Sequence, residues 1–396
     1  SILCYFKYAY FFADLVNTVC GTSFQVTNLL AAEGNRLLGQ PFFSVDRIIL
    51  PVGISFYTFQ IISYTADVYR GLVKPVRNLF DFGFYVTFFP QLVAGPIVKA
   101  SDFIPQLYRK YCLSRLQFGM AVFWILNGLL KKIILSDYLA VNFIDRVFDN
   151  PMLFSGFENL MALFAYSLQV YADFSGYTDI AIGLSLLMGF YLPRNFNSPY
   201  KAPNCSNFWK RWHISLSRWL QNYLYIPLGG NRVKPLRMYL NLFIVWFCTG
   251  FWHGASWNFI LWGLHFFVWL MLEKYLLRDF LQKLPSWLRH FYTLVVGFVG
   301  WGVFAMEDLA GCAGYFKTCF GSGTLWSAAD GYYLIAYGLT LLILTVGSTR
   351  LPRKVWNRLP ERTRDLLGPL LMAAGLVICT AYLVDGSYNP FLYFRF

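Results

Sequence analysis

Between positions 238 and 272 the chain carries no Asp, Glu, Lys or Arg. A helix needs about 20 apolar residues to cross the hydrocarbon core of a bilayer. This run is therefore long enough for one tilted helix and most of a second, with Gly250 and Gly254 marking the break. Positions 48–66, 331–349 and 366–384 are equally free of charge. Shorter uncharged runs at 82–98, 116–130, 159–172, 180–193 and 291–306 span only with polar flanks or by entering partway, so the pattern predicts roughly eight to eleven spanning helices. Pro51, Pro90 and Pro96 fall inside such runs, where each removes a backbone donor that neighbouring protein or re-entrant geometry must compensate.

Composition agrees. Only 13% of the 396 residues are charged, against roughly 25% in a soluble domain, and the mean hydropathy is +0.47. A water-soluble globule is excluded, because too little polar surface exists to cover one. A transmembrane barrel would alternate polar and apolar residues, and continuous runs argue against it. No fixed-period repeat or inverted pair of broken segments is visible, which weakens a transporter reading. The expected fold is an all-α, polytopic transmembrane helical bundle with re-entrant or interfacial helices, one domain over residues 1–396.

The net charge is +13, and the basic residues gather in the breaks between apolar runs, as at Lys131-Lys132, at Arg232, Lys234 and Arg237, and at Arg350, Arg353 and Lys354. That pattern sets membrane orientation rather than nucleic-acid binding. Eight Cys without a CxxC pair or a His at ligand spacing indicate neither a zinc site nor a disulfide framework, and no metal site is expected. The chain opens at Ser1 on an apolar stretch without the basic start and cleavage site of a signal peptide, so an upstream membrane segment is expected. Residues 193–235 mix seven cations with Trp209, Trp212, Trp219, Tyr223 and Tyr225. The segment is too polar to span, suits the head-group level, and by the positive-inside tendency faces the cytoplasm.

Four His are present. His253, inside an apolar run, is an ionisable group that must find a partner or face a water-filled cavity. Pinning two helices would also account for it, but its location favours function. His213 lies among Lys210, Arg211 and Arg218 and reads alone as interfacial packing, His265 as structural and His290 as solvated. The turn at 227–232 lacks the spacing of a phosphate loop, and no Gly-x-Ser-x-Gly elbow occurs. Asp173 and Asp179 interrupt apolar sequence. The local reading makes one a cap of a helix starting near Gly176 with Asp179 in its first turn, and the alternative sets one against Arg194 or Arg211.

Four stretches in order, FFPQLVAGPI (88–97), YADFSGYTDIAIG (171–183), FWKRWHISLSRWLQNYLYIPLGGNR (208–232) and FWHGASWNFILWGLH (251–265), with the ending NPFLYFRF (389–396), resemble the membrane-bound O-acyltransferase family, and within it the bacterial polysaccharide-acetylating branch. The resemblance implies that His253 is the catalytic histidine and that His213 matches a second polar position, which varies among His, Asn and Asp. It implies a general base at His253, a donor-orienting role for His213, and an acetyl group passing from cytoplasmic acetyl-CoA or another acyl thioester to an extracytoplasmic polysaccharide, with no tightly bound cofactor. Periplasmic or extracellular acetyltransferase partners and a bacterial inner-membrane location follow from the same likeness. A tunnel-like interior is expected at FPQLVAGP and GFWHG, with Gln91 and Asn258 as polar liners and Trp209, Arg211 and Trp252 as further substrate contacts. The alternatives are D-alanyl transfer to teichoic acid from a carrier protein and a non-catalytic acyl-group transporter. Members of this branch carry additional N-terminal helices, which fits an upstream segment.

Overall fold

The structure, a computed structural model, describes residues 2–93, 95–306, 308–321 and 324–385. Ala94 of the first motif and the ending at 389–396 lie outside the described residues. All regular secondary structure among the described residues is helical. The elements that build the site are α1 (Ile2–Cys20), α2 (Ile54–Tyr69), α3 (Arg115–Asp149), α4 (Gly156–Leu187), α5 (Pro235–His253), α6 (Trp257–Tyr275) and α7 (Ser286–Ala305).

Helix α4 is the axis. Its entry is fixed by a capping box in which Ser155 Oγ accepts from Glu158 N at 3.0 Å and the Glu158 carboxylate accepts from Ser155 N at 2.8 Å. Apolar or small residues surround it, so it is buried along most of its 32 residues. The uncharged runs at 159–172 and 180–193 are largely parts of this one helix, and Asp173 and Asp179 are mid-helix residues rather than caps. Their partners come from α3. Asp179 Oδ2 accepts from Lys131 Nζ at 2.6 Å and from Asn127 Nδ2 at 2.7 Å, while Asp173 Oδ1 lies 2.7 Å from Lys132 Nζ. Arg194 adds a more distant positive charge to Asp179 and stands 5.4 Å from the Trp124 ring centre. The close approach that permits these pairs comes from glycine. A Cβ at Gly128 would lie 2.4 Å from the carbonyl oxygen of Gly176, so the two backbones touch.

Four helices among the described residues are long and apolar enough to cross a membrane: Arg115–Asp149, Ser286–Ala305, Asp330–Gly347 and Glu361–Val384. This is fewer than absence of charge alone predicts, because uncharged is not the same as apolar. Helices α5 and α6 have 19 residues each, but bury Asn241, Trp246, Trp252, His253, Asn258 and Trp262, and the run at 82–98 splits into Leu79–Thr87 and Phe89–Leu92. The outer helix Glu361–Val384 is only 11% buried over its apolar window, as lipid-facing surface requires.

Residues 193–235 fold into short helices at Cys205–Trp209 and Ile214–Leu220 and a π-helical turn at Gln221–Tyr225. Lys201, Lys210, Arg218, Arg232 and Lys234 are exposed, while Phe208, Trp212, His213, Leu216 and Leu220 turn into the core. The segment is a cover whose underside builds the site.

Removing one member of a buried ion pair leaves the other charge unpaired, at about 3–5 kcal/mol. Lys132→Met is therefore expected to lower the thermal midpoint in detergent sharply, since Asp173 is 1% exposed and Lys132 Nζ also donates to Asp137 Oδ1 at 2.7 Å, and Lys132→Met/Asp173→Leu to recover the part of the loss that the Asp173 charge causes.

Candidate active site

His253 is the last residue of α5. Its Nδ1 lies 2.7 Å from the carbonyl oxygen of Thr249 one turn earlier. A carbonyl only accepts, so the neutral ring carries its proton on Nδ1 and presents Nε2 as a lone pair. The ring is held edge-on by Trp252 at 4.8 Å and Trp262 at 4.7 Å. His213 reaches the same region from the cover. It has a left-handed backbone, φ 41° and ψ 58°, at the entry to helix Ile214–Leu220, a conformation that costs a non-glycine residue about 1–3 kcal/mol unless its surroundings impose it.

Asn195 imposes it. Its Oδ1 accepts from Ser215 N at 3.0 Å, accepts from Ser215 Oγ at 2.9 Å and lies 3.2 Å from His213 Nδ1, while its carbonyl accepts from Ile214 N at 2.9 Å. Because the Ser215 N–H must donate, the contacting Asn195 atom is the oxygen. His213 is then also an Nδ1–H tautomer, and its buried Nε2 has no hydrogen-bond partner among the described residues. Phe174 of α4 supports this ring at 4.7 Å. From below, Glu273 of α6 accepts from the backbone N–H groups of Cys205 and Ser206 at 2.5 and 3.1 Å, which seats the helix carrying Trp209.

Two cavities meet at His253. The larger, about 480 Å³, is bounded by Trp209, His213, Arg218, Thr249 and His253 among others. The smaller, about 150 Å³, is bounded by Lys7, Gly53, Ser55, Trp252 and His253 among others. A third cavity of about 600 Å³ shares Ile214 and Arg218 with the first, and Arg194, Arg350, Arg353 and Lys354 also line it. None of these five cations makes an ion pair among the described residues.

The structure thus brings together His253, His213, Trp209 and Trp252. It places the other sequence candidates elsewhere. Gln91 is buried and donates to the Tyr85 carbonyl at 2.9 Å. Asn258 donates to the Met306 carbonyl at 2.6 Å. Arg211 donates to Asn207 Oδ1 at 2.6 Å and to the Asn197 carbonyl at 3.3 Å. None of the three borders the cavities at the two histidines. His265 Nε2 lies 3.0 Å from the Val296 carbonyl and ties α6 to α7. His290 is tethered rather than simply solvated, its ring nitrogens 2.6 and 2.9 Å from the carbonyls of Ser286 and Lys201. Asn195, Glu273 and Lys7 escape sequence reasoning. Each acts on groups far away in the chain, and no local pattern marks them.

Close packing of α5 on α6 holds His253 in place. A Cβ at Gly250 would lie 2.3 Å from the Phe259 carbonyl oxygen, so Gly250→Leu is expected to force the helices apart and abolish a stable detergent melt. Gly314→Leu, where nothing lies within 4 Å of the added Cβ, is expected to melt within a few degrees of wild type.

The profile of the membrane-bound O-acyltransferase family matches residues 72–313, which include both histidines. The chain is 41% identical to a probable alginate O-acetylase of Azotobacter vinelandii, over 83% of this chain and 62% of the relative. It is 36% identical to a probable alginate O-acetylase of Pseudomonas putida, over all of this chain and 82% of the relative. It is 38% identical to a peptidoglycan O-acetyltransferase of Helicobacter pylori, over 78% of this chain and 60% of the relative. The chain thus spans about three fifths of the length of two of these relatives.

Proposed function

Because the chain belongs to the membrane-bound O-acyltransferase family, we propose that it is a multi-pass inner-membrane O-acyltransferase that draws acetyl groups from a cytoplasmic acyl thioester, such as acetyl-CoA, for O-acetylation of an extracytoplasmic polysaccharide. The observation that carries this reading is the position of His253 where two cavities meet. A group-transfer enzyme working across a membrane needs its base reachable from two directions, whereas a packing histidine needs neither cavity. The names of the relatives, alginate O-acetylase and peptidoglycan O-acetyltransferase, support acetyl as the group and polysaccharide as its final destination. Extracytoplasmic acetyltransferase partners would complete delivery.

In this reading the donor enters through the larger cavity. The adjoining basic chamber of Arg194, Arg218, Arg350, Arg353 and Lys354 is suited to the phosphates of a nucleotide thioester, since Arg and Lys donors pair strongly with phosphate oxygens. His213 offers an acceptor nitrogen beside the donor, and the acceptor hydroxyl approaches His253 Nε2 from the smaller cavity. No step requires a bound metal or redox cofactor.

General-base catalysis contributes about 10²- to 10⁴-fold. Purified protein given radiolabelled acetyl-CoA and a hydroxyl acceptor is expected to transfer label, His253→Ala to lose that transfer by at least a hundredfold while its melt is kept, and His265→Ala to lose less than fivefold. Full transfer by His253→Ala, or accumulation of intact acetyl groups in proteoliposomes with no acceptor labelled, would contradict this reading; the second outcome identifies a transporter. Arg353→Gln/Lys354→Gln is expected to raise KM for acetyl-CoA about tenfold and leave kcat unchanged.

A further inference from the structure

Three successive carbonyls at the C-terminal end of α5 are capped from α1. Tyr8 Oη donates to Phe251 O at 2.6 Å, and Lys7 Nζ donates to Trp252 O at 2.6 Å and to His253 O at 2.9 Å. Terminal helix carbonyls have no partner inside their own helix and favour a positive neighbour, so capping alone accounts for two of the ammonium's hydrogen bonds. It does not account for the ammonium's third N–H. The Tyr8 hydroxyl caps the adjoining carbonyl without charge. An ammonium has three donors, and the third is not used by any carbonyl, hydroxyl or carboxylate of the described residues. Lys7 also lines the smaller cavity, as His253 does. Lys7 is half-buried, its ammonium 5.9 Å from the Trp252 ring centre and in no ion pair among the described residues, and a cation so placed beside a cavity favours a site where negative charge appears during the reaction.

We propose that Lys7 is the electrophile of the transfer, its third N–H hydrogen-bonding the acyl carbonyl oxygen as that oxygen becomes an oxyanion. The inference rests on the acyl-transfer reading above. The acceptor O–H gives its proton to His253 Nε2, the acceptor oxygen bonds to the acyl carbon, and the π pair of the carbonyl moves onto its oxygen, where Lys7 meets it. When that pair returns, the C–S bond breaks and the departing thiolate takes the proton back from His253. Lys7 gives up no proton and is unchanged at the end. Its two carbonyl contacts fix the ammonium before substrate arrives, and such preorganisation is what makes an oxyanion donor effective.

Loss of one oxyanion donor typically costs about 10²–10³ in turnover. In nanodiscs, with labelled acetyl-CoA and a hydroxyl acceptor, Lys7→Met is expected to lose that much in kcat with KM within threefold of wild type. Lys7→Gln, which keeps neutral donors for the two carbonyls, should lose nearly as much, and Lys7→Arg should regain part of the rate. Tyr8→Phe removes only a cap and should keep turnover within threefold. The proposal is overturned if Lys7→Met turns over within threefold of wild type, or if its deficit matches that of Tyr8→Phe. It is equally overturned if neither neutral variant folds while Lys7→Arg does, since Lys7 would then be a structural cap. A wild-type protein that transfers no acetyl group overturns the acyl-transfer reading itself, whereas active wild type with undiminished Lys7→Met overturns only the role of Lys7.

Discussion

Charge brought inside a lipid-facing protein must be answered inside it, and the answer here is the pairing of Lys131 and Lys132 on α3 with Asp179 and Asp173 on α4. The four charges lie along a helix interface tight enough that a Cβ on Gly128 would strike the Gly176 carbonyl. A pair of this kind gains little over well-packed apolar side chains, but it penalises any other register because a slipped helix would leave a buried charge alone. The register of α4 then matters for the site. Phe174, one residue beyond Asp173, supports the ring of His213, and the Ser167 carbonyl accepts from the Tyr200 hydroxyl beneath the cover.

The two histidines come together through different physics. His253 is placed by helix packing: α5 ends where glycine lets α6 turn back against it, and the helical geometry itself supplies the Thr249 carbonyl that sets the tautomer. His213 is placed by a polar network centred on Asn195, which joins the Ser215 hydroxyl, the backbone N–H of Ile97 and a left-handed backbone. One imidazole stands on a rigid element and the other on a strained turn, and both present Nε2 as an acceptor. Trp252 stands between them, its ring centre 4.8 Å from that of His253 and 6.5 Å from that of His213.

What the sequence makes legible follows the range of the interactions involved. Lipid solvent, helical architecture and the break between α5 and α6 are local or compositional, and uncharged runs and glycine positions mark them. His253 stands out in the sequence as an ionisable group in apolar surroundings, and His213 through the order of long motifs. Local rules fail where partners are remote. Capping is the nearest available satisfaction for Asp173 and Asp179, yet the lysines that satisfy them lie more than forty positions away. Polarity in an apolar motif points to Gln91 and Asn258 as cavity liners; each amide nitrogen donates to a backbone carbonyl, and neither residue borders the two cavities at His253. Lys7 carries no local mark at all, since its role depends on the end of a helix some 245 positions downstream.

The proposed function requires that the two chambers sharing His253 open to opposite sides of the bilayer. Oriented vesicles and a membrane-impermeant thiol reagent test it most directly, on a protein whose exposed thiols, Cys4, Cys20 and Cys112, are replaced by serine. Ser217 borders the larger cavity and Ser55 the smaller. The account predicts that Ser217→Cys reacts only from the cytoplasmic face and Ser55→Cys only from the opposite face. Reaction of both from one face would contradict it.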